Sequence, residues 1–355
     1  GFLAGWAMLL DYFLIPLLSI VYASLTAARL LPAVPYYAWV LLFALAITLV
    51  NVRGIKATAR ANTVLMIVLS TSAVLFAVLA IRHVLASGGS LWSPVALFNG
   101  QTFTMRSLML GAGISALSYI GFDAVTTLAE ESHNPESDVA FATVLTCVLQ
   151  AFICAVTVYL ATLVWPDYRA FPQVETAILD IGQRIGGNWM FGWITMALLV
   201  AGLASAMTGQ AGASRLLLGM GRDGALSRWL FGHVDAASAA PKRAIWFMGG
   251  LSLVGSLLAG FQLIVELLNF GAFCGFTLVN ISVIAHYFVR GKRRGGADFW
   301  HYLVFPLSGA LVCVYLWLSL SGPAQIAGFL WLGAGLAYLA VLTRGFRLAP
   351  KRLEL

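Results

Sequence analysis

The sequence predicts an all-α polytopic membrane protein, and three observations carry that reading. Hydrophobic residues make up 61% of the 355-residue chain and charged residues only 10%, against about 25% charged in a soluble domain; the mean hydropathy is +0.90. Apolar stretches of about 20 residues, the length that crosses a bilayer core, recur ten times. The basic residues concentrate in alternate loops between those stretches, the pattern that orients helices in a membrane.

Taken in order, the spans are Phe2–Ser24, Tyr36–Val52, Thr63–Ile81, Met105–Ser132, Val139–Trp165, Trp189–Gly219, Ala244–Gly260, Leu263–Phe288, Tyr302–Leu320 and Ile326–Leu342. Arg29 and the prolines Pro32 and Pro35 end the first. The basic link NVRGIKATARAN, Asn51–Asn62, separates the second from the third, and a Gly/Ser/Pro-rich loop at Ser87–Asn99 carries Trp92 as an interfacial anchor. Asp167–Asn188 is amphipathic and predicts a helix lying on the membrane surface. No internal repeat or low-complexity linker stands out, so residues 1–355 read as a single transmembrane domain. The chain opens at Gly1 directly in an apolar run with no basic n-region or cleavage site, which argues against a signal peptide and for a span of a protein that is N-terminally truncated.

Sixteen of the twenty-one basic residues fall in one set of loops; Arg29, Arg82, Arg106, Arg169 and Arg184 form the other. The richer side is expected to be cytoplasmic. The net charge of +7 is thereby a topology signal, and nucleic-acid binding gains no support from it. Cys147, Cys154, Cys274 and Cys313 all lie in apolar runs without metal-type spacing and read as packing residues. The histidines lie at or beyond span ends, and no P-loop or nucleophile elbow occurs, so an ATP-driven pump, a hydrolase or a membrane enzyme is disfavoured.

Residues 113–138, GISALSYIGFDAVTTLAEESHNPESD, stand at the centre of the functional reading. Gly121-Phe122-Asp123 sets a flexible residue beside an acid inside a span. An acid at membrane depth costs about 3 kcal/mol on insertion scales and is usually functional. Opened backbone there is tolerated only where it lines a cavity or is buried in protein, so the fourth span is predicted to break near Ser118–Phe122. The plainer alternative is a close helix crossing at Gly121, with Asp123 satisfied by a neighbour. Asp11, midway along the first span, must be paired, protonated or facing water, which makes it a candidate proton carrier or a packing contact. Glu130 and Glu131, where the fourth span leaves the membrane, are a candidate gating pair or simple helix-end polarity. Glu266 is expected to favour the positive end of its own helix. Gly202, Ser205, Gly209 and Gly212 form a small-residue stripe suited to close helix packing. Ser205 and Thr208 also offer hydroxyl oxygens of the kind that hold Na⁺.

At these residues the chain resembles the amino acid–polyamine–organocation permeases. GFLAGWAMLLDYFLIP looks like that family's third span and NVRGIKATARAN like the link into its fifth. SYIGFDAVTTLAEESHNPESD looks like its sixth, GMGRDGAL like the turn after its eighth, and LLNFGAFCGFTLVNISVI like its tenth. The resemblance runs over nearly the whole chain and is nearest the putrescine-importer and cationic-amino-acid branches. It implies an inverted-repeat fold of the leucine-transporter type, with the ten spans here corresponding to family spans three to twelve. It also implies that carbonyls around Leu117, Ser118 and Ile120 hold a substrate amine, with Gly121 allowing the opening. Phe122 would serve as an aromatic gate and Asp123 as partner for a cationic substrate. Some proton-coupled relatives place a lysine in the fifth span; here Leu69 or Ser70 stands at that place. That leaves carboxylate-borne H⁺ coupling or Na⁺ coupling.

The resulting expectation is a secondary active importer in the cytoplasmic membrane for a small-molecule amine substrate, an amino acid or a putrescine-type diamine. No cofactor is implied beyond the coupling ion, and no partner beyond substrate and lipid bilayer. The rival is a non-transporting homologue or sensor lacking the first broken helix. The charge pattern yields a direct test of topology. In a variant stripped of its native cysteines, a single cysteine at Gly295, within the Arg290–His301 loop, or in the Asn51–Asn62 link is expected to resist a membrane-impermeant maleimide in intact cells. One at Ser90 should react readily; labelling of Gly295 from outside would reverse the orientation.

Overall fold

The structure is a computed structural model that describes residues 2–54, 59–100, 103–122, 125, 134–224, 226–235, 240–343 and 345. Among the described residues every regular element is helical. The long helices are α1 (Phe2–Leu30), α2 (Tyr36–Val52), α3 (Ala59–Ala86), α4 (Met105–Ser115) and α5 (Pro135–Val164). They continue with α6 (Ala177–Arg222), α7 (Lys242–Leu258), α8 (Phe261–Val283), α9 (Phe305–Leu318) and α10 (Gly322–Leu342). Nine of the ten expected spans coincide with one of them, and the fourth, expected over Met105–Ser132, begins with α4. Among the described residues, seven helices are long and apolar enough to cross a membrane. Of the other three, α2 and α7 have 17 residues each, near the lower limit for a crossing, and α4 is the interrupted one. Prolines sit at the first turns of α5 and α10, where the missing N–H has no intrahelical partner to lose, and Pro306 stands where a π-helical turn runs into α9. On the loop side of α8 and α9 the ladder widens into π-helical turns at Ile284–Arg290 and Trp300–Val304.

The hub is α1, which touches α2, α6, α7, α8 and α10. Its contact with α6 follows the small-residue stripe. Gly202 faces Ala23, and a Cβ on Gly209 would stand 2.8 Å from the Ile15 side chain and 3.3 Å from the Pro16 ring. Packing, the favoured reading of that stripe, is what the helix crossing uses. Ile20, Ala23 and Ala27 then meet Val40, Phe43, Ala44 and Ile47 of α2 in one buried cluster. A second cluster joins α3, α5 and α6 through Phe76, Leu160, Leu179 and Met190. At the other side of α1, the Trp6 and Trp331 indoles stack with centroids 4.9 Å apart. Each indole N–H donates to the other residue's backbone carbonyl at 2.9 Å, and the Trp6 ring lies against Gly335.

One group of polar side chains inside the bundle is tied together. The Asn51 amide donates to Gln210 Oε1 at 2.7 Å and to the Met207 carbonyl at 3.1 Å. Gln210 donates to Thr48 Oγ1 at 2.9 Å, and Thr48 passes its own proton to the Ala44 carbonyl. Gly249 of α7 presses on Thr48, closing a buried knot between α2, α6 and α7.

A helix does begin at Ala177, and its apolar face packs into the bundle: Leu179 is fully buried and Ile181 joins the second cluster. The Arg29 guanidinium at the end of α1 pairs with Asp180 and also donates to Thr176 Oγ1 at 3.5 Å, so the amphipathic face is turned inward. Gly187, with φ 68° and ψ −161°, makes the corner into the membrane-length part of α6, a conformation only glycine takes readily. Glu266 does not serve its own helix end. It sits in the second turn of α8, beyond the reach of that terminus, and is 2% exposed. Its carboxylate accepts from Gln262 Nε2 at 2.9 Å and from the Ser321 N–H at 3.0 Å, capping the start of α10.

The crossing of α1 and α8 gives a stability test. A Cβ on Gly271 would stand 2.8 Å from the Ala7 carbonyl oxygen, a backbone atom that cannot swing aside, whereas a Cβ on Gly212 would meet only the Tyr12 ring at an ordinary 3.7 Å. Gly271→Ala is expected to cost about 1–3 kcal/mol and to lower the melting temperature in detergent. Gly212→Ala should leave that temperature unchanged or slightly raised, and equal melting of the two variants would contradict this close approach.

Candidate functional site

The fourth span breaks where the sequence predicts. Thr104 caps α4 by accepting the Ser107 N–H at 3.1 Å. After Ser115 the helix tightens into a 3₁₀ turn at Ala116–Tyr119, in which the Ser118 hydroxyl donates back to the Ser115 carbonyl at 2.7 Å. Such back-bonding competes with the helical ladder. Ile120 then turns extended, with φ −62° and ψ 128°, and Gly121 adopts φ +107°. No L side chain takes that last conformation easily, so the glycine is what lets the chain leave the helix here. Leu117 gives its carbonyl to the Ile120 N–H at 3.1 Å and is half-buried, while Ser118 and Gly121 are exposed.

The broken segment is braced by α8. The Asn269 amide, fully buried, donates to the Gly113 carbonyl at 2.7 Å. The Phe122 ring lies against Phe276 with centroids 5.3 Å apart. Asn269 and Thr277 lie eight residues apart on a common face of α8. Among the described residues, Asn269 Oδ1 and Thr277 Oγ1 are buried without a hydrogen-bond partner. A buried acceptor left so costs about 1–3 kcal/mol, so this face of α8 holds unused accepting capacity beside the break. Asn269 was not singled out from sequence. Its signal was an amide amid the apolar run LLNFGAFCGF.

Among the remaining candidates, Asp123, Glu130 and Glu131 lie outside the described residues. Asp11 is buried, 9% exposed, halfway along α1. Ser205 is exposed and accepts the Ser19 hydroxyl proton at 3.2 Å. Thr208 donates to the carbonyls of Ala204 and Ser205, at 3.0 Å each. No described hydrogen bond joins Asp11, Ser205 or Thr208 to the Ile120–Gly121 break. Leu69 and Ser70 are exposed on α3, and Ser72 accepts from the Trp193 indole at 3.0 Å.

A helical, multi-pass membrane fold with one span opened at a glycine and braced by a buried amide defines a polytopic transporter architecture. The profile described as amino acid permease matches residues 1–346, and the chain belongs to that family. The family is one of permeases, so the chain is a transporter and not an enzyme. The low-affinity putrescine importer PlaP of Escherichia coli (strain K12) is 32% identical over 356 residues, covering 98% of this chain and 77% of that protein. The methylthioribose transporter of Bacillus subtilis (strain 168) is 26% identical over 313 residues, covering 86% and 64%. The branched-chain amino acid permease BcaP of the same organism is 26% identical over 309 residues, covering 84% and 62%.

The brace is open to test. Asn269→Leu keeps the side-chain size but leaves the Gly113 carbonyl without its donor, which should cost about 1–3 kcal/mol and raise amide hydrogen exchange over residues 113–119. Asn280 of the same helix turns its amide back on the Phe276 carbonyl, at 2.9 Å. Asn280→Leu should leave exchange at 113–119 unchanged. If both variants behave alike there, the amide does not hold the broken segment.

Proposed function

We propose that this chain imports an amine-bearing small metabolite, an amino acid or a putrescine-type diamine, across the cytoplasmic membrane by alternating access coupled to H⁺ or Na⁺. The observation that carries the reading is the helix opened at Ile120–Gly121 in a member of a permease family. Opened backbone at membrane depth belongs where it lines a cavity, and its freed carbonyls are acceptors suited to an ammonium group. The carbonyls around Leu117, Ser118 and Ile120 would receive the first amine, Phe122 would close over it, and Asp123 would neutralise a second. The name of the putrescine-importing relative supports a diamine; the branched-chain permease supports an amino acid, which brings its own carboxylate. Asp11, buried in the hub helix, is the proposed proton carrier. Ser205 and Thr208 are the sodium alternative, and Glu130 and Glu131 are the proposed gate.

Charge at Asp123 separates the cargos. Removing one partner of a buried ion pair costs roughly 3–5 kcal/mol. Asp123→Asn in the intact native chain, reconstituted with imposed proton or sodium gradients, is therefore expected to weaken labelled putrescine uptake by roughly 100-fold or more. Uptake of a neutral amino acid should fall much less. Equal loss for both cargos, or no loss at normal expression, would remove Asp123 as the cation site. Failure of the wild type to accumulate either cargo under both gradients would reject the importer reading itself.

A further inference from the structure

An apolar groove of about 400 Å³ runs between α1, α6, α7 and α10, away from the broken helix. Its volume falls in the range of about 300–1,000 Å³ typical of small-molecule sites. Every side chain lining it is apolar, so it offers an amine no partner, and water no hydrogen bonds to hold it. Leu10, Leu217 and Met220, all buried, form the floor, and Phe247 and Leu251, 43% and 36% exposed, form the rim. On α1 the lining extends from Trp6 to Leu17, about 16 Å at 1.5 Å per residue. That is close to half the roughly 30 Å hydrocarbon thickness, the depth of a single leaflet. By the charge pattern this half is the cytoplasmic one.

The cytoplasmic mouth is cationic. The Phe231 and Phe247 rings meet edge to face, with centroids 5.2 Å apart, and close that end. Arg228 precedes Phe231 by three residues and Arg243 precedes Phe247 by four, spacings that share a helix face. Both arginines are exposed. The Arg243 guanidinium is fixed by donating to the Trp229 carbonyl and lying 4.9 Å over the Trp229 ring. Trp229 is 75% exposed, as an interfacial tryptophan would be. Lys242 is taken up by Asp235 at 2.8 Å, but among the described residues no carboxylate pairs with Arg228 or Arg243.

We propose that this groove is a binding site for an anionic glycerophospholipid of the inner leaflet, one acyl chain lying along Leu10, Leu217 and Leu251 and the phosphate resting on Arg228 and Arg243. The depth fits one chain, the absence of polar lining fits hydrocarbon, and two exposed arginines stand one helical turn from the Phe231 and Phe247 rings that close the mouth. A zwitterionic lipid would fill the groove but would cancel much of the attraction at its mouth.

The test uses the full chain in phosphatidylethanolamine vesicles doped with phosphatidylglycerol that carries a photoreactive group on its acyl chain. After irradiation and digestion, label is expected on peptides spanning 217–231 and 243–251. It should be competed by excess unlabelled phosphatidylglycerol and not by phosphatidylcholine. Arg228→Glu should reduce that labelling by at least about fivefold, and Leu251→Trp, which fills the rim without touching the charges, should reduce it with melting temperature unchanged. Label spread evenly over all lipid-facing helices, or equal competition by phosphatidylcholine, would overturn the proposal. So would unlabelled 243–251 peptides in the wild type, the result expected if a protein segment occupies the groove.

Discussion

In hydrocarbon every backbone N–H and C=O must find its partner inside the protein, and the rest of the architecture depends on that demand. It is why the described elements are helices and why the departure at Ile120–Gly121 needs company. Breaking a ladder in lipid would strand polar groups at several kcal/mol each. Here the loss is contained: the 3₁₀ turn reuses the Leu117 carbonyl, Ser118 bonds back to Ser115, and the Asn269 amide takes the Gly113 carbonyl from the flank. The opening is thus a local exchange of partners, supported from α8, and it leaves backbone and buried side-chain oxygens facing one region.

The same demand explains the polar side chains elsewhere. Thr48, Asn51 and Gln210 satisfy one another in sequence, ending on a backbone carbonyl, so two helices share one connected set of donors and acceptors, with a third packed against it at Gly249. Glu266 illustrates the point with a charge. It sits far from its own helix end and is tolerated because another helix begins beside it, offering an amide and a positive pole. Each of these groups lies where two or more helices meet, and each fixes the rotation of one helix against the next in a way that greasy surfaces alone would not.

Most of the fold was legible in the sequence because span length and charge asymmetry depend on the solvent, and the bilayer is the same for every helix. Nine of the ten spans fall on helices and the fourth begins as one, and Gly121 announced the break because only one residue type tolerates that backbone angle. What escaped was pairwise. The burial of the Ala177–Gly186 helix hinges on Arg29 meeting Asp180 across 151 residues, and the capping role of Glu266 on Ser321 lying 55 residues on. Neither partner has a local pattern that names the other. Asn269 escaped for the opposite reason: a lone amide in an apolar run has many possible uses until its neighbour is known. The small-residue stripe on α6 was read correctly as packing because its spacing alone, without a partner's identity, implies close approach.

The reciprocal tie between Trp6 and Trp331 bears on how the protein is made. The two indoles are 325 residues apart, so during synthesis α1 enters the membrane long before α10 leaves the ribosome. Until then the Trp6 indole has neither the carbonyl it donates to nor the ring it stacks on, and the same side of α1 stays open to lipid. The contact between these helices can therefore close only after α10 has entered the membrane. It acts as a late latch, and its formation marks the moment at which two helices far apart in sequence are committed to one another.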